Sequence, residues 1–339
     1  MLTLALDDPR WTELVERSEA AHPFHHPAWA GVLARSYGLR PFVLALPGDD
    51  GRLAGGLPVL EVRSPLGARR WVSLPFTDYG PPLASAGLGD EALVAGLEAA
   101  RTAAGIKELE VRGELAGAHP AGNAVLHPLT LTGDPDAVLR TFSRSQVQRN
   151  VRKAEAAGLT LRRGESASDL DQTFYELHLR TRRRLGVPVQ PRRFFSLLWQ
   201  RMLARGLGFV SLVYAGGEPV AGAVFLAWNG SITYKFGASE PGAWNLRPNH
   251  RIFWDAIRWG CESGYRSFDF GRSDLEDEGL RAFKSSWGTT EQPLRYSALA
   301  DRPSSASLGR LGRLTRPALR RSPLWVSRVL GGVLYRYAA

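Results

Sequence analysis

The chain has 339 residues, 44% of them apolar and 22% charged, a balance that excludes a disordered protein and suits about two domains with buried cores. Its net charge is +10, yet residues 302–339 hold eight Arg and no Asp, Glu or Lys, which leaves +2 for the first 301. The basic character is that of a tail, and the body offers no overall attraction to nucleic acid.

A single cysteine, Cys261, rules out an internal disulfide framework and a Cys-based zinc site, and fits a reducing compartment. The first eleven residues carry acid where a signal peptide carries base. The longest apolar stretch, Pro219 to Trp228, has ten residues against the roughly 20 needed to span a bilayer. A cytoplasmic protein is expected.

In chain order, His26-Pro27 opens a helix near Ala28-Trp29, and His22, His25 and His26 read as capping and packing residues. A hairpin follows, with strands at 43–46 and 53–60 about a turn at 48–51, then a strand at 70–74. A helix from Asp90 to Ala104 stops at Gly105 and leads into a strand at 106–113. Asp134-Pro135 starts a connector helix expected to run to Ala157, and a further helix spans Ser168 to Leu185.

The first pattern then recurs. Strands at 210–214 and 220–225 flank Gly216-Gly217, a third spans 231–236, and a helix from Asn249 to Ser263 stops at Gly264 before a strand at 265–272. Asp90 and Asn249 are the expected helix caps, offset by 159 residues. Two α/β domains with a duplicated mixed sheet and flanking helices are expected: residues 1–133 and 158–300, joined by a helical connector at 134–157 and followed by a basic amphipathic tail at 301–339. A last strand includes Leu294-Arg295-Tyr296.

The chain has no G-x-S-x-G elbow, no H-E-x-x-H, no P-loop and no C-x-x-C, so serine-hydrolase, zincin and P-loop chemistry lose their support, and no metal is expected. Gly87-Leu88-Gly89-Asp90-Glu91-Ala92 matches G-x-G-x-x-A, but Pro75 to Ala86 separates it from the preceding strand. A dinucleotide site needs the glycines directly after a strand.

The informative stretch is the end of the second copy. Asp269-Phe270-Gly271-Arg272-Ser273, then Gly279-Leu280-Arg281-Ala282-Phe283-Lys284-Ser285-Ser286-Trp287-Gly288, then Pro293-Leu294-Arg295-Tyr296 resembles the FemAB-like branch of the GNAT acyltransferase superfamily. Pro27-Ala28-Trp29, Ser73 to Gly80 and Arg149 to Ala154 agree with it upstream. The resemblance implies two GNAT-like domains and transfer of an acyl group, often aminoacyl from charged tRNA, to an amine of a cell-envelope precursor such as a lipid-linked muropeptide. Two alternatives stand beside it: an acetyl-CoA-dependent N-acetyltransferase acting on an amino sugar, and a non-catalytic membrane-associated binding protein on a GNAT scaffold.

Amine acylation needs a deprotonated amine, a stabilised oxyanion and an anchor for the donor's phosphates. Asp269, facing away from Phe268 and Phe270 on its strand, is the candidate to orient or deprotonate the amine; an ion pair with Arg272 or a turn cap is its structural alternative. The resemblance gives Lys284, in the Phe283-Lys284 pair, a role in stabilising donor or intermediate. Arg149, Arg152 and Lys153 share one helix face and suit a pyrophosphate or tRNA backbone. Asp78, Tyr79, Lys235, Asn249, Arg272 and Tyr296 complete the candidate substrate- or donor-binding residues. Trp254 and Trp259 read as core.

The loop Glu240 to Asn249 lacks the [QR]-x-x-G-x-[GA] pattern with which acetyl-CoA-dependent GNAT proteins receive pyrophosphate. This favours aminoacyl-tRNA over acyl-CoA as co-substrate, and no tightly bound cofactor is expected. In the tail, eleven apolar residues between Leu308 and Leu334 interleave with the Arg, which suits peripheral contact with an anionic inner membrane or packing back on the body.

Overall fold

The computed structural model describes residues 1–49, 51–64, 67–85, 87–301 and Tyr335. In chain order its elements are β1 (Leu2–Leu4), α1 (Pro9–Arg17), α2 (Pro27–Tyr37), β2 (Arg40–Pro47), β3 (Leu53–Arg63), β4 (Arg69–Val72), β5 (Leu83–Ala84), α3 (Asp90–Ala103), β6 (Glu108–Val111) and β7 (His119–Leu126). Then come β8 (Pro128–Thr130), α4 (Pro135–Thr141), α5 (Arg149–Ala156), β9 (Thr160–Arg163), α6 (Tyr175–Leu185), α7 (Arg192–Arg201), β10 (Gly208–Ala215) and β11 (Glu218–Trp228). The last are β12 (Ser231–Ser239), α8 (Pro248–Glu262), β13 (Ser267–Asp269), α9 (Glu278–Ser285) and β14 (Gln292–Ala300).

The chain divides into two compact units. Among the described residues up to 301, the first is Met1–Ala124 with the chain from Pro293 to Asp301; the second is Val125–Gln292. Among the described residues, the sheet of the first runs β1-β2-β3-β4-β6-β14-β7, with β5 on β3, and that of the second runs β8-β13-β12-β11-β10-β9. Both contain the expected repeat. An antiparallel hairpin (β2-β3, β10-β11) pairs with a third strand (β4, β12), and a helix (α3, α8) crosses to a parallel fourth (β6, β13). This is the duplicated α/β architecture that the glycine punctuation predicts. Gly105 and Gly264 end the crossing helices at φ 64° and 75°, a conformation that costs a residue with a Cβ.

Each unit buries its own core. In the second, α8 presents Ile252, Phe253, Ala256, Ile257, Gly260 and Cys261 along one side, and these pack with Phe225, Phe268, Phe270 and Trp287. Full burial of such a side chain contributes about 1.5–3 kcal/mol. Trp254 is core as expected, at 4% exposure, while Trp259 is half-buried beneath the Arg163 guanidinium, 4.3 Å from its ring. In the first unit Leu44, Leu57, Leu97 and Leu109 are fully buried. His26 accepts from the Ala28 amide at 3.2 Å and caps α2, whose Trp29 is fully buried, as the sequence suggests.

The structure corrects four expectations. The final strand, β14, leaves the second copy and pairs with β6, setting Ser297 opposite Val111 and Leu299 opposite Leu109, so the first unit is built from both ends of the described chain. The connector is not one helix: Phe142 turns extended to reach the core, and Ser143 caps a π-helical turn, Arg144–Gln148, that feeds α5. The residues at 169–174 form another π-helical turn ahead of α6. Finally, Asp90 and Asn249 lie inside the first turns of α3 and α8; Gly89 and Arg247 hold the cap positions.

No helix among the described residues is long and apolar enough to cross a membrane. The tail from Arg302 lies outside the described residues except for Tyr335, whose ring is 5.7 Å from that of Tyr37 and 4.9 Å from that of Phe76.

Candidate active site

In the second unit β12 and β13 pair only where Ser231–Thr233 faces Ser267–Asp269; beyond Thr233, β12 continues to Ser239 paired with β11 and without β13 on its other side. The β11–β12 register slips between Val224 and Phe225, leaving Lys235 as the bulged residue. A cavity of about 180 Å³ opens beside this length of β12, lined among others by Gly222, Tyr234, Gly237, Ser239 and Asn249. Gly237 is required there, since a Cβ would stand 1.9 Å from the Tyr234 hydroxyl. Burial pushes the Tyr234 phenol up to about 12, so it stays neutral.

α8 starts at the carboxyl end of β12, where open α/β sheets receive ligands. Arg247 caps it in the left-handed region (φ 62°, ψ 40°), no side chain caps its first amides, and its first turn carries no acid. The Arg247 Nε is buried without a partner among the described residues. Pro248 has no N–H, and the His250 and Arg251 amides donate to the Arg247 carbonyl. The Asn249 amide, a helix dipole and a guanidinium suit an anion.

At the end of β13, Lys284 reaches from α9 with 4% exposure, and its Nζ donates to the carbonyls of Gly271 (2.8 Å) and Arg272 (3.0 Å). The Asp269 Oδ1 accepts from the Gly271 amide at 2.8 Å and shapes the turn in which Gly271 adopts φ 75°. Arg272 pairs with Asp274. His127, between β7 and β8, is fully buried and takes the Phe270 amide on its carbonyl at 3.1 Å. Burial, and then the Lys284 charge, lower its imidazole to about 4.

The first unit gathers its own polar cluster. The Tyr296 hydroxyl donates to the Asp78 carbonyl at 2.7 Å, and the Arg112 guanidinium lies 4.9 Å over the Tyr296 ring. The Tyr79 ring stacks on His22 at 5.4 Å, and burial, then Glu114, raise its phenol. His22 is held well below its ordinary value by burial and then by His25, and its Nε2 is buried without a partner among the described residues. The loop carrying Asp78 is strained: Leu74 and Phe76 adopt φ 55° and 61°, pinned by a 2.7 Å bond from the Trp29 indole to Thr77.

Of the sequence candidates, the structure brings Lys284, Asp269 and Arg272 together at one strand end, places Lys235 and Asn249 on the split strand and the helix start beside the cavity, and joins Asp78, Tyr79 and Tyr296 in the first unit. Arg149, Arg152 and Lys153 stand exposed on α5 and form no ion pair among the described residues. His127, His22 and Arg247 went unnoticed as site residues. The one signal for His127 is a histidine inside the otherwise strand-like Ala124-Val125-Leu126-His127-Pro128-Leu129.

Residues 141–285 match the acetyltransferase (GNAT) domain family. A lipid II:glycine glycyltransferase of Staphylococcus haemolyticus (strain JCSC1435) is 28% identical over 127 residues, covering 35% of this chain and 29% of that protein. The chain therefore spans about three-tenths of the length of the curated relatives it matches. Among solved structures, FemX superposes with a TM-score of 0.68 at 16% identity, over 87% of this chain and 97% of that one. A tandem GNAT protein from the clavulanic acid biosynthesis pathway gives 0.55 at 15% identity, over 90% and 99%. Two sheets built on one repeat, a GNAT domain match within the second unit, and these likenesses make the chain similar in sequence to a lipid II:glycine glycyltransferase and in fold to FemX and a tandem GNAT protein.

Proposed function

We propose that the protein is an N-acyltransferase that moves an aminoacyl group from aminoacyl-tRNA to an amine of a lipid-linked cell-envelope precursor. The observation that carries this reading is Lys284, a buried ammonium held by two carbonyls at the open end of split strands, four residues before the close of the Phe283 to Gly288 segment. The glycyltransferase relative supports the aminoacyl donor and the envelope acceptor. In the proposed reaction the acceptor nitrogen attacks the ester carbonyl carbon, and the carbonyl electron pair moves onto oxygen. Lys284 stabilises that oxyanion. Collapse expels the ribose oxygen, which takes up the proton released by the amine.

The start of α8, with Arg247 and Asn249, would hold a donor phosphate, and the exposed Arg149, Arg152 and Lys153 would meet the tRNA backbone. Lys235 and Arg272 remain proposed donor contacts; Asp78, Tyr79 and Tyr296 are proposed for the acceptor. Asp269, bonded to the Gly271 amide, is proposed to shape the strand end as well as to orient the amine. Residues 302–339 are proposed to bring the protein to the anionic inner face of the cytoplasmic membrane.

The test supplies purified full-length protein with labelled glycyl-tRNA or labelled acetyl-CoA and a lipid-linked muropeptide, and identifies the product by mass. Transfer from the tRNA is expected, falling about 100-fold or more in Lys284→Ala. Acetyl transfer alone would reassign the donor, and no transfer from either would overturn the function. In the same assay a chain ending at Asp301 should lose binding to anionic vesicles; unchanged binding sinks the tail's role.

A further inference from the structure

The end of β13 contains polar atoms that the proposed reaction has not used. Both ring nitrogens of His127 and the Oγ of Ser273 are buried without a partner among the described residues, in side chains 0% and 1% exposed. Val125 pairs with Ser273, and the Phe270 amide donates to the His127 carbonyl. Side chains alternate along a strand, so His127 falls on the side shared by Val125 and Ser273. Gly271 and Arg272, whose carbonyls hold the Lys284 ammonium, lie between Phe270 and Ser273 on the facing segment. The charged groups that act on His127 are Lys284 and Arg281 from α9 and Glu291 from the segment before β14; Arg281 and Glu291 are paired with each other at 2.8 Å.

This is an expensive arrangement for folding alone. A buried imidazole with an unused donor and an unused acceptor destabilises the native state, and a leucine of similar size would remove that cost. Its environment keeps the ring neutral, so one nitrogen retains a lone pair beside a buried cation.

We propose that His127 is a positioning residue for Lys284: through a water shared with Ser273 its neutral ring presents a lone pair to the ammonium and fixes where that charge sits relative to the forming oxyanion. This rests on the role given to Lys284 under Proposed function. A doubly protonated ring would repel the ammonium, and an apolar side chain would leave its direction unset.

Two measurements on the full-length chain test the idea. The first records ¹⁵N resonances of the His127 ring at neutral pH in ¹⁵N-histidine-labelled protein. In Lys284→Met the lone-pair nitrogen is expected to move toward the position of an unengaged imidazole. Lys284→Gln, which keeps a donor for the two carbonyls without the charge, serves if the methionine variant does not fold. The second measures transfer: His127→Leu should lower kcat about tenfold or more with donor KM unchanged and Tm equal or higher, and His127→Gln should recover part of the rate. Unmoved ¹⁵N resonances, or His127→Leu at wild-type kcat, overturn the proposal. If the wild-type protein transfers nothing, the proposed function falls by itself, and the resonances still decide whether His127 and Lys284 are coupled.

Discussion

The two crossing helices of the duplicated scaffold begin in opposite ways. α3 carries Asp90 and Glu91 in its first turn, so its own carboxylates meet the positive end of its dipole. α8 carries no acid there and starts behind Arg247, leaving its dipole uncompensated by any carboxylate of its own first turn. The strands feeding the helices differ in the same sense. β4 has four residues, and β12 has nine, with an end that β13 leaves uncovered and that borders a cavity. One repeat therefore yields a frame closed at the helix start and a frame open there. The difference is the basis for proposing donor binding in the second unit, from the helix-start charges and with no appeal to overall charge.

The strongest way to break this contrast is to close the open frame. Asn249→Asp puts a carboxylate into the first turn of α8, beside the cavity. We expect donor KM to rise about tenfold, equivalent to about 1.4 kcal/mol, with kcat little changed. The same carboxylate suits the helix dipole, so Tm should hold or rise slightly. That separates a lost anion site from a damaged fold. A donor KM unaffected by the substitution would move the donor phosphate away from α8.

A second prediction concerns acid. His25 in the first unit and His178 in the second are 1% and 2% exposed, and burial lowers their rings to about 4 and about 3. Both stay neutral in the fold and regain an ordinary value near 6.5 when unfolded. Between those values the unfolded chain binds more protons. Their contribution is thus fully present above about pH 6.5 and is lost as pH falls toward 4, at up to about 1.4 kcal/mol per pH unit for each ring. Urea unfolding at pH 7 and pH 5 should show the loss. His178→Gln should flatten it in part, and an unchanged slope would mean that these rings do not set the acid limit.

The repeat was legible because it is written in local chemistry. Gly105 and Gly264 stop their helices in a left-handed conformation whatever lies nearby, and hairpin turns at matched offsets reveal the order of strands. β14 was not legible in this way: Leu299 finds Leu109 across almost 200 residues, and nothing near Gln292 names that partner. The break at Phe142 was hidden for a similar reason, since no Gly or Pro interrupts residues 136–157 while the pull of the core on Phe142 is tertiary. At the site, the motif around Lys284 could be read along the chain. His127 could not, because a histidine in an apolar run says nothing of whether its nitrogens find partners, and that is the fact that singles it out.

The smallest effect lies in the closed frame and completes the contrast. Asp90 and Glu91 are exposed at the start of α3, where carboxylates stabilise a helix by about 0.3–1 kcal/mol each at low salt. Asp90→Asn combined with Glu91→Gln should lower the stability of the first unit by roughly 1 kcal/mol, and less in high salt because exposed charges are screened. Donor KM should not change. If the double substitution instead created a measurable affinity for inorganic phosphate, those carboxylates would be the reason that the first frame rejects anions, and the two frames would differ by two side chains rather than by the length of their strands.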